Sequence, residues 1–451
     1  MASIRVISTS TICAASNKEP NLRIHLTTWD LELLLQDGIQ KGLVFYKPKP
    51  DHENLIHHLQ TSLSRTLDFF LPLAGRLATI ENVDETTSFF LDCNNSGAEF
   101  VHAVADGVSV SDIIQQTYVP DLMVNSFFSL NGIRNYEGTS KPLLGVQFTE
   151  LVDGVFIGCS INHAALDGTS FWHFFNSWSE ISRGFDSLSK PPILQRWFLR
   201  DTDYPIPIPF FKNEQLIHSK VVPLPPLQQR VFHFTAESIA KLKAKANASI
   251  GAEKISSLQA LLSHLWLSAV RSKRLDPDQE TSFRIIIGVR SRLQPPLPQQ
   301  YLGNAIQGAD MTMKAGEVLE QGLGYVALQM NKTVAMHTEE KLRSYLECWR
   351  ENPKFAIETH DSLPRNCFLA SSSPRYNVYG NDFGCGRPIA VRSGPANKFD
   401  GKMTIFPGLK EGSVDIEACL SPETLQGFGL WKTRPLGRVS IKRTRRSHGV
   451  K

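Results

Sequence analysis

The sequence predicts a mixed α/β (α+β) protein with two sheet-bearing domains, and three observations carry that prediction. At 451 residues the chain is too long for one hydrophobic core. Strand-like apolar runs alternate with helical patterns in both halves. Between 191 and 226 stand eight of the 26 prolines (Pro191, Pro192, Pro205, Pro207, Pro209, Pro223, Pro225 and Pro226), a density that disfavours regular structure and marks an extended crossover. The expected organisation is a first domain over 1–190, a linker over 191–226, a second domain over 227–426 and a basic tail over 427–451.

Each element follows from a local pattern. Leu55, Leu59, Leu63, Leu67 and Leu71 repeat at i, i+4, so 51–77 reads as a helix that ends in the loop Pro72-Leu73-Ala74-Gly75-Arg76-Leu77. Strand-like runs follow at Thr87–Asp92, Glu99–Ala103, Leu144–Leu151 and Val155–Ile161. After Gly168, the spacing of Phe171, Phe174, Phe175, Trp178 and Ile181 predicts a helix. The second half restarts with a strand at Val231–Phe234. Two helices come next, 236–247 with Ile239, Leu242 and Ala246, and 257–271 with Leu258, Leu261, Leu262, Leu265 and Trp266; a buried strand follows at Ile285–Val289.

The segment Ile161-Asn162-His163-Ala164-Ala165-Leu166-Asp167-Gly168 sets a histidine at the end of an apolar strand, with a carboxylate four residues on and a glycine turn behind it. An imidazole where a sheet meets a cavity suits acid/base chemistry, and a satisfied core histidine is the alternative. His102 and Asp106 repeat the spacing, but they lead into Val108-Ser109-Val110 without a comparable helical pattern and read as structural.

Composition excludes several classes. The chain is 41% hydrophobic and 20% charged, with no run of 18 apolar residues, and Met1 to Ser16 carries only Arg5 as a charge. No membrane span or signal peptide is expected, and the cytoplasm is the expected compartment. Seven scattered cysteines (Cys13, Cys93, Cys159, Cys348, Cys367, Cys385, Cys419), without a Cys-x-x-Cys pair, imply free thiols and no metal site. The net charge of +4 comes from the C-terminal end: residues 427–451 hold eight Lys and Arg and no acid, leaving 40 of the 48 basic residues against all 44 acids elsewhere. The cluster Lys442-Arg443-Thr444-Arg445-Arg446 could bind nucleic acid or act as a nuclear signal, but basic tails are more often solvated and functionally silent, and no nucleic-acid partner is expected. There is no Gly-rich phosphate loop and no Gly-x-Ser-x-Gly elbow.

A series of ordered blocks carries a resemblance. They are Leu26-Thr27-Thr28-Trp29-Asp30 with Gln40-Lys41-Gly42-Leu43-Val44-Phe45, then Leu59 to Leu67 through Pro72-Leu73-Ala74-Gly75-Arg76-Leu77, Gly97-x-x-Phe100, and Pro142-Leu143-Leu144-x-Val146-Gln147-x-Thr149. Next come His163-x-x-x-Asp167-Gly168, Val289-Arg290-x-Arg292, Tyr301-Leu302-Gly303-Asn304, Asp382-Phe383-Gly384-Cys385-Gly386 and Pro407-Gly408. From about residue 5 to about residue 426 the chain resembles the plant BAHD acyl-CoA-dependent acyltransferases.

The resemblance implies two chloramphenicol-acetyltransferase-like domains with a channel along their interface. Acyl-CoA would enter one mouth as co-substrate, with no permanently bound cofactor, and a small-molecule alcohol or amine the other. It makes His163 the general base, with direct attack and no acyl-enzyme. Asp167 would turn away from the channel to pair with Arg290 and hold the loop. Relatives often carry Thr-Ser-Trp where this chain has Ser371-Ser372-Ser373, so Ser371 and Ser373 become candidate oxyanion or acceptor contacts, or else a polar loop. Asp382, Gly384 and Gly386 belong to a block that is mainly structural in relatives, whose usual tryptophan is here Cys385. CoA contacts are expected at the start of the second-domain helix, Ser256 and Ser257, with Lys241, Lys243 and Lys245 either near the phosphates or on a solvated helix face. A monomer is expected. Relatives end in an acidic amphipathic helix; here Gly427-Phe428-Gly429-Leu430-Trp431 and the basic run follow Gln426, so that helix is expected to be lost. Two rival functions remain: a lyase on an isochorismate-type conjugate, because a subgroup the chain resembles includes a member tied to salicylate formation, and a non-catalytic binding protein.

Overall fold

The computed structural model describes residues 4–16, 22–47, 52–200, 204–210, 226–356 and 366–431. In the first half, β1 (Ile4–Ile12) and β2 (Arg23–His25) precede a short capped helix α1 (Thr28–Leu31), then β3 (Ile39–Tyr46) and α2 (His52–Leu67). β4 (Arg76–Glu81), β5 (Thr87–Asp92) and β6 (Ala98–Ala105) follow, then short helices α3 (Val110–Ile114) and α4 (Asp121–Asn125), β7 (Leu144–Glu150), β8 (Gly154–Ile161) and α5 (Gly168–Ser182). The second half runs β9 (Gln228–Phe234), α6 (Ala236–Ile250), α7 (Ser257–Lys273), β10 (Glu280–Gly288), β11 (Ile306–Lys314), α8 (Ala315–Ala335) and α9 (Glu339–Glu351). It closes with β12 (Cys367–Ser372), β13 (Ala390–Ser393), β14 (Lys402–Pro407), β15 (Val414–Leu420) and α10 (Pro422–Trp431).

These elements build two six-stranded mixed sheets, ordered β1-β6-β7-β8-β3-β13 and β11-β10-β12-β14-β15-β9, beside a small sheet β2-β5-β4. The sheets do not follow the chain's halves. β13, late in sequence, pairs antiparallel with β3, Ser393 opposite Lys41, and so completes the first sheet. A four-residue strand carries too little periodicity to read from sequence. The exchange ties the two halves together, and the crossover adds further ties: Ile193 bridges Tyr301 and Ile208 bridges Thr87.

The leucine stripe does what its spacing demands. Leu55, Leu59, Leu63 and Leu67 are buried on α2, which then gives way to a 3-10 turn at Leu71–Ala74 and a strand from Arg76. All eight residues of β8 are buried, the mark of a central strand covered on both faces. α7 is buried along most of its length, with Trp266 donating to Thr281 Oγ1 at 3.0 Å.

Two expectations change. No helix or strand forms in the described parts of the 191–226 crossover, but it is not a bare tether: Arg196 there is buried and bonds to both halves. At the other end, residues 427–431 of the expected tail continue helix α10. Phe428 packs against Phe232 at 4.9 Å, because Leu425 and Phe428 find an apolar seat on α7 and β9 that overrides the helix-weakening glycines. The remaining tail, 432–451, and its basic cluster lie outside the described residues.

Candidate active site

His163 stands just beyond β8, and its position is set by three asparagines. The His163 N–H donates to Asn135 Oδ1 at 2.7 Å, and its carbonyl accepts from Asn304 Nδ2 at 2.7 Å. Asn162 Nδ2 donates to the Asn135 carbonyl at 2.7 Å, while Asn162 Oδ1 accepts from the Ala164 N–H at 3.0 Å. Asn304 belongs to the second half of the chain and is itself held by the buried Asp30, at 2.8 Å. Both halves therefore fix the His163 backbone, and the half-buried residue lines a cavity.

Asp167 faces the other way. It is fully buried and caps α5, Oδ1 accepting from the Thr169 and Ser170 N–H groups at 3.0 and 3.1 Å. Arg290 reaches it bidentately, Nη1 to Oδ2 at 2.6 Å and Nη2 to Oδ1 at 3.0 Å, and the Ala305 N–H adds a bond to Oδ2 at 3.0 Å. Burial alone would raise the carboxyl pKa, but the Arg290 charge and these bonds hold it below the ordinary aspartate value. Arg290 Nη2 also bonds Ser170 Oγ and the carbonyls of Tyr301 and Gly303 at 3.1–3.2 Å. The spacing of Asp167 from His163 thus serves a clamp between the domains. Gly303 is part of it: a Cβ there would lie 1.6 Å from Arg196 Nη1, so a larger residue would push that guanidinium off the Leu302 carbonyl it bonds.

The cavity beside His163 has a volume of about 530 Å³, within the range of small-molecule sites. Its walls come from both halves: Trp29, Gln40, Lys41, Thr169 and Trp172 on one side, Ile286, Ser371, Tyr376, Lys398 and Thr404 on the other. Ser371 on β12 is in register with Thr404 on β14, so two hydroxyl-bearing residues stand side by side there. The Tyr376 hydroxyl lies 3.4 Å from Thr169 Oγ1, and burial and the nearby Asp167 push its pKa up to about 12. Glu32 also lines the cavity; burial raises its pKa to about 7 against the lowering effects of the Tyr345 hydroxyl, 2.9 Å away, and of Arg284.

Other expected site residues lie elsewhere. Ser373 is absent from the cavity wall, which takes Ser371 and Ser372; the Ser373 hydroxyl instead accepts the Arg375 N–H at 3.2 Å and forms a turn. Ser256 and Ser257 do not reach the cavity either. Ser256 caps α7 in a reciprocal box with Gln259, and on α6 the exposed Lys241 pairs with Glu237 at 2.6 Å. His102 bonds Glu150 at 2.7 Å and has a structural partner.

The Asp382 block is a packing device. Asp382 Oδ1 accepts from the N–H groups of Gly384 and Gly386 at 2.9 and 3.0 Å, glycines whose φ of +90° and +76° suits them to the tight loop. Ser179 Oγ bonds the Asp382 backbone, and Phe383 is buried among Trp178, Phe175 and Phe45, with centroids 4.6, 5.5 and 6.2 Å away. The block therefore anchors α5, whose N-cap is Asp167. Cys385 stands at its half-buried rim, where burial and Asp382 push the thiol up to about 12.

Two six-stranded mixed sheets that share a cavity, with His163 on its wall, give the chain a chloramphenicol-acetyltransferase-like fold. The comparisons agree. The Transferase family matches residues 2–434. An uncharacterised acetyltransferase of Arabidopsis thaliana is 43% identical over 94% of this chain and 97% of its own length. The BAHD acyltransferase DCR of the same plant is 34% identical over 90% of this chain and 86% of its own. In structure, TRI101 of F. graminearum, solved with coenzyme A and T-2 mycotoxin, superposes with a TM-score of 0.73 at 18% identity, covering 90% of this chain and 96% of that one. The chain belongs to the BAHD acyltransferase family.

Proposed function

We propose that the protein transfers an acyl group from a CoA thioester to a hydroxyl or amine of a small plant metabolite, with His163 as general base. The observation that carries this reading is the placement of His163: its backbone is gripped by both halves, and it lies on the wall of a cavity that both halves build. The imidazole takes the proton as the acceptor's oxygen or nitrogen attacks the thioester carbonyl. Collapse of the tetrahedral intermediate expels the CoA thiolate, which recovers that proton. Ser371, beside Thr404, is the candidate donor to the oxyanion, in place of the indole N–H that relatives carry. Asp167 acts as a positioning residue, since its carboxylate is occupied by Arg290 and three backbone N–H groups. Acyl-CoA is a co-substrate, and the cytoplasm is the proposed compartment.

The test is acceptor-dependent release of free CoA thiol by the purified protein, across a panel of acyl-CoA donors and pooled plant alcohols, phenols and amines, with product mass read alongside. Release coupled to an acylated product supports transfer. Product formed without consumption of CoA thioester supports the lyase reading.

A further inference from the structure

Glu32 is a carboxylate on the cavity wall that proton transfer at His163 leaves unused. It caps the C-terminal end of α1, a helix whose four residues are all buried, and its carbonyl accepts the Ala356 N–H at 2.8 Å. Glu32 thus lines the cavity from a fixed backbone. Its Oε1 accepts the Tyr345 hydroxyl of α9 at 2.9 Å, and Gln307 on β11 bonds the same phenol oxygen. Among the described residues, no donor stands within hydrogen-bond distance of Oε2. Arg284 on β10 acts on Glu32 through charge, while its guanidinium holds Asp310 through bonds of 2.6 and 2.9 Å. A half-bonded carboxylate in a shielded cavity is poorly solvated, and burial accordingly raises its pKa to about 7. What completes it is a hydrogen-bond donor, O–H or N–H, brought by a ligand.

Geometry ties that donor to the molecule being acylated. Asn304 Nδ2 bonds the His163 carbonyl at 2.7 Å and Asp30 Oδ1 at 2.8 Å, and Asp30 precedes Glu32 by two residues. Buried hydrogen bonds therefore set the spacing between base and carboxylate, and ligands that engage both are selected by length. Charge decides which substrate this is. Glu32 and Asp310 stand against Arg284 and against Lys341, one turn from Tyr345 on α9, so no net positive charge gathers here for the phosphates of CoA. The acceptor is the substrate that brings the donor.

We propose that Glu32 is a specificity-determining residue whose second carboxylate oxygen takes a further donor group of the acceptor, a hydroxyl or an ammonium remote from the atom that is acylated. The proposal deepens the acyl-transfer reading and rests on it for the acceptor's place at His163. The preferred acceptor is then bifunctional, a diol, an amino alcohol or a diamine. A site built to bond a second O–H or N–H discriminates against the analogue that lacks it, because the buried carboxylate is then left unpaired.

The experiment uses the full-length protein at pH 8, where Glu32 is ionised, with the best acyl-CoA donor and acceptors of three to eight carbons. One arm compares 1-alkanols with α,ω-diols, and the other 1-aminoalkanes with α,ω-diamines, each by kcat/KM and by calorimetric binding. The expected result is a bifunctional preference of at least about tenfold at one chain length in one arm, which names the donor group. Two equivalent ends account for a factor of about two of any such ratio. Glu32→Leu should reduce the preference to that factor while kcat/KM for the monofunctional acceptor stays within about threefold of wild type, a split that a merely structural role does not give. Glu32→Gln, which keeps the side chain's shape, should abolish an ammonium preference and weaken a hydroxyl one. No preference in either arm, or one that both variants retain in full, overturns the proposal while thiol release still supports acyl transfer. If no acceptor yields thiol, the acyl-transfer reading fails, and the calorimetric ratios still decide the role of Glu32.

Discussion

Breaking the Asp167–Arg290 clamp separates a positioning role for Asp167 from a charge-relay role. Arg290→Met removes donors to Asp167, Ser170 Oγ and the carbonyls of Tyr301 and Gly303, and leaves Asp167 as a buried charge with three backbone N–H donors. Removing one partner of such a pair typically costs ~3–5 kcal/mol. Asp167→Asn leaves Arg290 uncompensated in the same way, at a similar order of cost. Because each single change orphans the opposite partner and the double variant removes both, the double variant should be less destabilised than the sum, with a coupling of about 2–3 kcal/mol in a double-mutant cycle. The assay is urea unfolding of all four proteins, read by fluorescence and far-UV circular dichroism, with turnover measured on folded material. Activity should fall in step with stability, since both report the loop that carries His163. Asp167→Asn with wild-type stability but turnover down ~10⁴-fold, the signature of a lost imidazole orienter, would refute the positioning argument.

Three further outcomes follow. Ser371→Ala should lower kcat by ~10²–10³-fold with little change in KM, as removal of an oxyanion donor does; an unchanged kcat would leave Ser371 as a polar strand residue without a part in the chemistry. Phe383→Ala should cost ~3–5 kcal/mol in thermal or urea unfolding by emptying the space among Trp178, Phe175 and Phe45, while the KM for CoA donors stays put. Glu32 titrates near 7 in the folded protein against about 4.5 unfolded, so the native state holds a proton that the unfolded chain releases. Its stabilising contribution is full below about pH 4.5 and is lost as pH rises through 7, by an upper limit of ~3 kcal/mol. Glu32→Gln should therefore raise Tm at pH 8 relative to wild type and show a smaller difference at pH 5, and equal differences at both would contradict the raised value.

Long apolar repeats were legible in the sequence, and short or exchanged elements were not. The stripe from Leu55 to Leu67 and the runs around β8 and α7 announce themselves because burial on one or both faces forces a period. β13 has four residues, and its place in the first sheet depends on a pairing with β3 some 350 residues earlier, which no local pattern encodes. At the site, His163 was visible as a histidine at a strand end. The resemblance supplied the turn of Asp167 toward Arg290, which spacing alone does not encode. Asn135 and Asn304 were missed as the backbone grip on His163: an asparagine's partners lie 28 and 141 residues away, and only the fold brings them together. Ser256 and Ser373 lie off the His163 cavity, each accepting a backbone N–H at a helix start or a turn, as small hydroxyl residues commonly do.

The central claim, that His163 in the shared cavity is the base for acyl transfer, is tested most directly by comparing wild type with His163→Ala on the best donor and acceptor pair, with Tm recorded for both. The account predicts a fall in kcat/KM of about 10²–10⁴-fold at a Tm within a few degrees of wild type. Acceptor-dependent thiol release within about tenfold of wild type, from well-folded His163→Ala, would contradict it.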